Sequence, residues 1–590
     1  MREVPYWWKS ETQSAAWGGR LCLLLLLLSM AVPAVAAGPQ QYRDSDQSVA
    51  GMKKMSSDLR RLGAANPRGL VTVIVQFKSA PDSETIAGMR GNGRVLQRQF
   101  STIRAVTMRL PANMIEELAS NPRVSYITPD RSVKLTSDES YSDAVESDLA
   151  AAQFAMDGTS VGVAVIDSGI TDHPDLHKAS GASRVVYSES FVAADITTAD
   201  AYGHGTHVAG LIGGNGSSSS LGKGYGRQYA GMAPGVNLIN LRVLNSSGGG
   251  TDSQVIAAIQ RAIALKSSYN IRVINLSLGR RVFESYTLDP LCQAVESAWR
   301  AGIVVVTAAG NWGRDNSMHT HGFATIGAPG NDPVVITVGA TRTRGTDDRS
   351  DDLISSYSSK GPTLLDHVVK PDLVAPGNRM VSLRAAGSTL DKNYPLYEVK
   401  SSNGSSAYYR LSGTSMATPL VSGTVALMLQ QDPTLTPDQV KARLMKTAWK
   451  GFGLYSSAVD EFGNTYNDQY DIFTYGAGYL DVNDALSNTD RSTGVALSPS
   501  AKYDANSGNV YLVNTNSVVW GNSVVWGNSV VWGNSVVWGN SVVWGNSVVW
   551  GSSVVWGNST VDGFSVVWGN NMSLTGGGMM ALSDGEDGED

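Results

Sequence analysis

Three side chains that could together perform acyl transfer stand far apart in the sequence, in the order Asp, His, Ser. Asp167 follows an apolar run in VIDSGI, His204 lies between two glycines in GHGTHVAG, and Ser415 lies in SGTSMATP. A serine hydroxyl becomes a good nucleophile only when a base removes its proton, and a neutral imidazole at a helix start is suited to that task. Taken singly, Asp167 could equally cap a loop and Ser415 could cap a helix. The motifs must therefore be interpreted together.

A fourth polar residue, Asn311, closes the apolar run VVVTAAGN. Its side-chain amide can donate a hydrogen bond to the oxygen that becomes an anion during acyl transfer, which lowers the barrier by about 3 kcal/mol. An asparagine in a turn is the alternative interpretation, and only the presence of the other three residues weighs against it. His207, one helical turn after His204, is predicted to be a packing residue.

These residues follow apolar segments that predict a parallel sheet. The segments GVAVIDSGI, VNLINLRVL, IRVINLSLG and AGIVVVTAAGN are apolar almost throughout, and helix-length segments such as GTDSQVIAAIQRAIALKSS separate them. Strands that are buried on both faces have this pattern, so the predicted fold class is α/β with a doubly wound parallel sheet. Functional residues in such sheets gather at the carboxyl ends of the strands, where Asp167 and Asn311 are expected.

The motifs VIDSGI, GHGTHVAG, AAGN and SGTSMATP occur in this order within residues 157–486. Together they resemble the motifs of the subtilisin-like serine proteases, the subtilases, which arrange their triad in the order Asp, His, Ser. The resemblance implies that Ser415 is the nucleophile and that His204 is the general base and then the general acid. It also implies that Asp167 orients the imidazole and that Asn311 donates to the oxyanion.

The same resemblance places Ser277, Leu278, Gly279 and Gly310 along the substrate groove, where an extended peptide pairs with the enzyme backbone by strand addition. Sedolisin-type peptidases share a SGTS serine but use a glutamate where subtilases use a histidine, so the intact HGTH argues against them. The predicted function is a secreted serine endopeptidase that hydrolyses peptide bonds of proteins and is made as an autoprocessed zymogen. The alternative is a surface adhesin or scaffold that acts through a Trp-rich repeat, with a silent protease domain.

Residues 69–134 alternate short apolar runs with two helical segments, in the order strand, helix, strand, strand, helix, strand. This order predicts a small α+β, ferredoxin-like domain. It resembles the inhibitor-type propeptide of subtilases, which assists folding and blocks the cleft until it is removed. We therefore predict a propeptide over residues 38–137, acting as an intramolecular inhibitor, and a catalytic domain over residues 138–490. The sequence places autocleavage after Pro129 and before Leu149 without fixing the bond.

The predicted chemistry requires no cofactor, but the family resemblance raises the question of a structural calcium ion. Residues 215–229, NGSSSSLGKGYGRQY, replace the loop that holds calcium in many subtilisins and contain no carboxylate. Hard cations prefer carboxylate and carbonyl oxygens, so calcium in this loop is in doubt, and no acidic cluster locates it elsewhere. The net charge of −6 over 590 residues gives no support to nucleic-acid binding, which requires a clustered basic face.

Residues 1–37 have the layout of a signal peptide, with the apolar run LCLLLLLLSMAV and the small-residue cleavage site AVAA. The apolar run is shorter than the ~20 residues that span a bilayer, so we expect secretion, extracellular or at the cell surface, with no transmembrane anchor after processing. Of the two cysteines, Cys22 lies in this segment and Cys292 is left alone in the mature chain. The mature protein is therefore expected to have no internal disulfide.

The C-terminal part divides into a linker at 491–516, a hexad repeat at 517–570 and an acidic tail at 571–590. Nine hexads run in register, and eight of them read SVVWG in their first five positions. Short VVW strands joined by GNS corners predict a β-rich repeat. Two interpretations stay open for its role: a stalk or module that packs on the catalytic domain, or a Trp-rich surface that binds glycan, cell wall or protein.

Overall fold

The computed structural model describes residues 54–134 and 154–513, apart from short gaps at 57–58, 61–68, 90, 92, 194, 345–348, 460–463 and 505–508. These residues all belong to one of the two units into which the chain divides, Gln47–Asp590. The predicted signal peptide, the hexad repeat, the acidic tail and the chain around the predicted autocleavage site lie outside the described residues.

An N-terminal domain is formed by a four-stranded antiparallel sheet and two short helices, with strand order β2-β3-β1-β4. Side chains from both helices join the core that covers one face of the sheet. This is the order of strands and helices that the sequence predicts. In chain order the elements are β1 (Leu70–Phe77), α1 (Ser83–Gly88), β2 (Val95–Gln99), β3 (Ala105–Pro111), α2 (Ile115–Ser120), β4 (Val124–Pro129) and a separate short strand, β5 (Ser132–Lys134).

The sheet of the N-terminal domain is apolar on both faces. Side chains alternate along β1, so that Val73 and Val75 lie in the domain's own core, whereas Ile74 points to the other face. Ile74, Phe100 and Ala105 belong to the apolar core of the domain that follows. Because burying apolar surface stabilises a fold, the N-terminal domain is held on its neighbour mainly through this sheet face.

The second domain is built on a sheet whose strand order is β13-β12-β11-β10-β6-β8-β7, with β14 pairing on β12. All pairings in it are parallel except that of β12 with β13. This confirms the predicted α/β class with a parallel sheet. The strands are β6 (Gly162–Asp167), β7 (Val185–Ser190), β8 (Asn237–Arg242), β10 (Ile271–Leu276), β11 (Val304–Ala308), β12 (Ile336–Arg342), β13 (Leu353–Ile354) and β14 (Leu373–Pro376); β9 (Gly249–Thr251) lies outside the sheet and pairs with β5.

Helices cover the sheet, and their starts are fixed by local hydrogen bonds. In α4 (Asp252–Tyr269), the Thr251 and Gln254 side chains form a capping box that satisfies the first backbone N–H groups. The long helix α7 is buried along most of its length and packs on α3, β10, β11 and β12. The helices are α3 (His204–Gly213), α4 (Asp252–Tyr269), α5 (Pro290–Arg300), α6 (Thr389–Asn393), α7 (Thr414–Gln431), α8 (Pro437–Thr447), α9 (Ile472–Tyr475) and α10 (Val482–Ser487).

Smaller strand groups complete the described part of the second domain. One is a three-stranded sheet of order β15-β17-β16, and two are hairpins, β18 with β19 and β20 with β21. Their bounds are β15 (Met380–Leu383), β16 (Glu398–Val399), β17 (Tyr408–Leu411), β18 (Tyr455–Val459), β19 (Thr465–Gln469), β20 (Ser500–Asp504) and β21 (Asn509–Val513).

The segment predicted to be a linker, residues 491–516, is partly docked on the second domain. Ser498 accepts a hydrogen bond from the buried Lys441 at 2.9 Å and donates one to the buried Asp372. The Ala501 N–H donates to the carbonyl of His367 at 2.8 Å. Because Lys441 and Asp372 are both enclosed, Ser498 satisfies polar groups that water cannot reach. The domain therefore extends past residue 490, at least as far as the β20–β21 hairpin.

Candidate active site

Asp167 and His204 meet at the carboxyl edge of the sheet. Asp167 is the last residue of β6 and His204 the first of α3, and both are buried. The His204 Nδ1 lies 2.9 Å from Asp167 Oδ1 and 3.1 Å from Oδ2. A carboxylate accepts hydrogen bonds but does not donate them, so Nδ1 carries the proton and Nε2 presents its lone pair. The pair thus holds the imidazole in the tautomer that a general base needs.

Two residues that sequence analysis did not single out, Asp200 and Ser168, hold this pair in place. Asp200 is buried and accepts hydrogen bonds from the Gly203 N–H at 2.6 Å, the Thr206 N–H at 2.8 Å and the Ser168 hydroxyl at 2.7 Å. The Ser168 hydroxyl in turn accepts from the N–H of Gly205. Together they satisfy the N-terminal donors of α3 and fix the position of His204. A carboxylate shortly before the GHGTH motif was the available signal.

His207 has the packing role predicted for it. Its Nε2 lies 2.9 Å from the carbonyl oxygen of Met380, and its ring is fully buried. Burial, with His204 nearby, lowers the pKa of His207 to about 3. The ring is therefore neutral in the folded protein at ordinary pH.

Ser415 lies at the start of α7, after Gly413, whose φ of 144° places it in a conformation that favours glycine. Its hydroxyl donates to the Ser277 carbonyl at 2.9 Å, and the Ser277 hydroxyl donates to the Ser415 carbonyl at 2.8 Å. The His204 Nε2 is buried and has no hydrogen-bond partner among the described residues. The structure therefore does not join Ser415 to His204 by a hydrogen bond; a rotation of the Ser415 side chain away from Ser277 is needed to present its proton to a base.

Asn311 follows β11 and is bound to the start of α7. Its Oδ1 accepts hydrogen bonds from the N–H and the hydroxyl of Thr414, each at 2.9 Å. The Thr414 hydroxyl also accepts from the N–H of Gly310 at 3.1 Å. Since Oδ1 faces Thr414, the NH₂ end of the amide points to the other side. Asn311 is thus oriented by the residue that immediately precedes Ser415.

The residues expected to line the substrate groove lie on two chain segments that follow strands. Ser277 and Leu278 are buried after β10, and the Asn275 amide donates to the Ser277 hydroxyl at 2.9 Å. Gly279 follows at the same strand end, and a Cβ there would lie 3.0 Å from the carbonyl oxygen of Ala328. These contacts hold the segment against the start of α7 and against Ala328.

Gly310 has a neighbour that sequence analysis missed, Trp312. A Cβ on Gly310, whose φ is +109°, would lie 2.7 Å from the Trp312 ring, and one on Gly327 would lie 2.8 Å from it. The indole is therefore packed between two glycine backbones, and the Arg281 guanidinium lies 4.7 Å from its centroid. Only glycine fits against the ring at these two positions.

The loop at 215–229, in doubt as a calcium site from its sequence, has the buried Asp175 beside it. Oδ1 of Asp175 accepts from the Ser217 hydroxyl and the Ser218 N–H, and Oδ2 accepts from the Tyr408 hydroxyl. Within the described ranges, no three or more His, Cys, Asp or Glu side chains cluster as a metal site. Hydrogen-bond donors thus occupy both oxygens of Asp175. Calcium elsewhere in the chain stays a prediction without a location.

No helix in the described part of the chain combines the length and the apolar character needed to cross a membrane.

A parallel α/β sheet with an Asp–His pair at its carboxyl edge, and a serine at the start of a helix packed on the same sheet, is typical of serine hydrolases. A family model described as the subtilase family, peptidase S8, matches residues 158–478. The serine protease AprX of Bacillus subtilis (strain 168) is 36% identical over 393 residues, which cover 64% of this chain and 82% of that protein.

Two further relatives have similar coverage. Subtilisin E of Bacillus subtilis (strain 168) is 33% identical over 388 residues, covering 64% of this chain and 84% of that protein. An alkaline protease of Shouchella clausii is 32% identical over 385 residues, covering 65% and 84%. The chain belongs to the subtilase family. It is therefore a hydrolase, a subtilisin-like serine protease that acts on proteins.

Proposed function

We propose that the chain is an exported serine endopeptidase that cleaves proteins through an acyl-enzyme. Ser415 is the nucleophile, His204 the general base and then acid, Asp167 the orienting carboxylate and Asn311 the oxyanion donor. The observation that carries this proposal is the His204 ring, which is bonded to Asp167 through Nδ1 while its buried Nε2 has no partner among the described residues.

The chemistry divides into two half-reactions. The Ser415 hydroxyl turns away from the Ser277 carbonyl, passes its proton to His204 Nε2, and its oxygen attacks the carbonyl carbon of the peptide bond. The Asn311 amide donates to the oxygen that becomes negative. His204 then gives the proton to the leaving amine as the C–N bond breaks. Water repeats the sequence on the ester and releases the second product.

We propose that the N-terminal domain is the inhibitory propeptide of a zymogen. Its support is the interface: Ile74 and Phe100 lie in the core of the second domain, and Asp130 accepts from the N–H of Ser253 at 2.8 Å, at the start of α4. Strand β5 pairs antiparallel with β9, as a bound peptide would. The predicted boundary after residue 137 lies outside the described residues. Removal of the domain would free the edge of β9 for a substrate.

Export rests on the signal-peptide layout of residues 1–37, and localisation outside the cell is part of this proposal. The hexad repeat at 517–570 keeps its two proposed roles, a packing module or a binding surface for glycan, cell wall or protein. The alternative of a scaffold with a silent protease domain has no support in the comparisons, since the matched relatives are named as proteases.

The proposal is tested by comparing the exported wild-type protein with Ser415→Ala. The wild type should hydrolyse casein, lose that activity to a serine-directed sulfonyl fluoride and, by intact mass, lack the N-terminal domain. Ser415→Ala should not hydrolyse casein, and its intact mass should still include the N-terminal domain. Ser267→Ala, at an exposed serine on α4, is the matched control and should mature normally. If purified Ser415→Ala removed its own N-terminal domain, autoprocessing by Ser415 would be wrong.

A further inference from the structure

One arginine of the N-terminal domain occupies a pocket of the second domain. Both terminal nitrogens of the Arg131 guanidinium donate to the Glu284 carboxylate, one to each oxygen. The same guanidinium lies 4.9 Å from the centroid of the Phe283 ring. Arg131 is 7% exposed and Glu284 4% exposed, so the pair is enclosed. A planar cation held in two hydrogen bonds and stacked on a ring is a built recognition site for arginine.

The backbone that begins at Arg131 and continues through β5 is bound as an added strand. The carbonyl of Arg131 accepts from the N–H of Asp252 at 2.8 Å, and β5 continues the pairing against β9 from Thr251 to Gly249. From Ser132 to Lys134 the bound strand runs antiparallel to β9, towards the residues that join β8 to β9. At the end of β8, the N–H of Val243 donates to the Asp167 carbonyl at 2.8 Å. A substrate bound in this direction would therefore present the residue at the Arg131 position before the residues that reach Asp167 and His204.

Glu284 follows Gly279 on the same chain segment, five residues later. Arg280, the next residue after Gly279, is buried and binds Asp252 at 2.8 Å and Asp289 at 2.9 Å. Burial, with Asp289 nearby, raises the pKa of Glu284, and the charges of Arg131 and Arg280 oppose that rise. An enclosed carboxylate in this surrounding is stable as an anion only with a cation beside it.

We propose that Glu284 and Phe283 form a substrate subsite for an arginine side chain, which Arg131 fills until the N-terminal domain is removed. The inference rests on the proposed removal of that domain. A protein substrate lying along β9 in the same direction places one of its side chains in this pocket. Arginine satisfies both carboxylate oxygens and covers the ring, lysine satisfies the charge alone, and alanine does neither.

The test uses the processed enzyme and quenched fluorogenic peptides that are neutral except for one arginine, moved through each position before the cleaved bond. Wild type should show one position at which arginine raises kcat/KM by about tenfold over alanine. Lysine at that position should give a smaller gain. Glu284→Gln should lose the arginine-to-alanine ratio at that position, with rates expressed per active site titrated by a phosphonyl fluoride.

Glu296→Gln is the matched control, because Glu296 lies on α5 and pairs with the exposed Arg300, away from this pocket. It should keep the arginine preference. Should Glu284→Gln fail to mature, Phe283→Leu should reduce the same ratio by removing the stacking surface. A processed, active wild-type enzyme with no arginine preference at any position would overturn the subsite and leave the proposed protease intact. A wild-type chain that never lost its N-terminal domain would instead overturn the zymogen proposal.

Discussion

Replacing Asn311 with alanine tests whether this side chain stabilises the transition state. In the structure Asn311 Oδ1 accepts two hydrogen bonds from Thr414, each at 2.9 Å, which orient the NH₂ group away from that residue. Asn311→Ala removes the donor and leaves the three triad side chains unchanged. It also removes the acceptor of both bonds from Thr414, which immediately precedes Ser415, so rates are compared per titrated active site to separate an effect on the reaction from one on folding.

The expected fall in kcat follows from the number of hydrogen bonds that each variant loses. Loss of one oxyanion donor costs about 3 kcal/mol, a magnitude established on subtilisin itself, so kcat should fall by about 100- to 1000-fold with KM nearly unchanged. Thr414→Val keeps the backbone bond to Asn311 but removes the hydroxyl that binds both Asn311 and the Gly310 N–H. Losing this orienting bond should cost about 1 kcal/mol, or about fivefold in kcat.

The assay is steady-state hydrolysis of one chromogenic peptide by processed wild type, Asn311→Ala and Thr414→Val, with active sites counted by titration. Autoprocessing of the slow variants is supplied by a trace of wild type, which is then removed. If Asn311→Ala lowered kcat by less than about threefold, or acted mainly through KM, its assignment as oxyanion donor would be wrong.

Two further predictions concern stability. His207 has a pKa of about 3 when folded and about 6.5 when unfolded, so it contributes stability above pH 6.5 that is lost as the pH falls towards 3. In a Ser415→Ala background, the free energy of unfolding should fall between pH 7 and pH 4, and adding His207→Gln should make this fall smaller by about 3 kcal/mol. Denaturant titration at the two pH values measures the fall. An equal fall with and without His207→Gln would refute the linkage. Truncation after Val513 should leave peptide hydrolysis nearly intact. Truncation after residue 495 also removes Ser498 and should therefore lower the melting temperature. Identical melting curves for the two truncated proteins would contradict the docking of this segment.

Local patterns in the sequence were enough to predict the elements that carry the site. Apolar runs buried on both faces identified β6, β10 and β11, and the polar residue after each run marks the sheet edge where Asp167, Ser277 and Asn311 are found. The short apolar run of β1 likewise predicted a strand, although it did not show that the outer face, with Ile74, packs on another domain.

Contacts between distant segments could not be predicted in the same way. The bonds of Thr414 to Asn311 and of Ser498 to Lys441 join residues whose spacing has no period. Trp312 packs against Gly310 and Gly327 because the chain folds back on itself, and the composition of the segment does not reveal this packing. Such contacts appear only once the chain is folded, because each depends on the geometry of two separate segments.

Covalent labelling of the processed protein tests the central claim most directly. A phosphonyl fluoride bonds to a serine oxygen only where a base takes up the proton, which in this site is His204. We predict a single adduct, mapped by peptide mass to the helix start that contains Ser415, formed in proportion to the loss of casein hydrolysis and absent from Ser415→Ala. Full inactivation with Ser415 unmodified, or casein hydrolysis that persists in Ser415→Ala, would contradict the account.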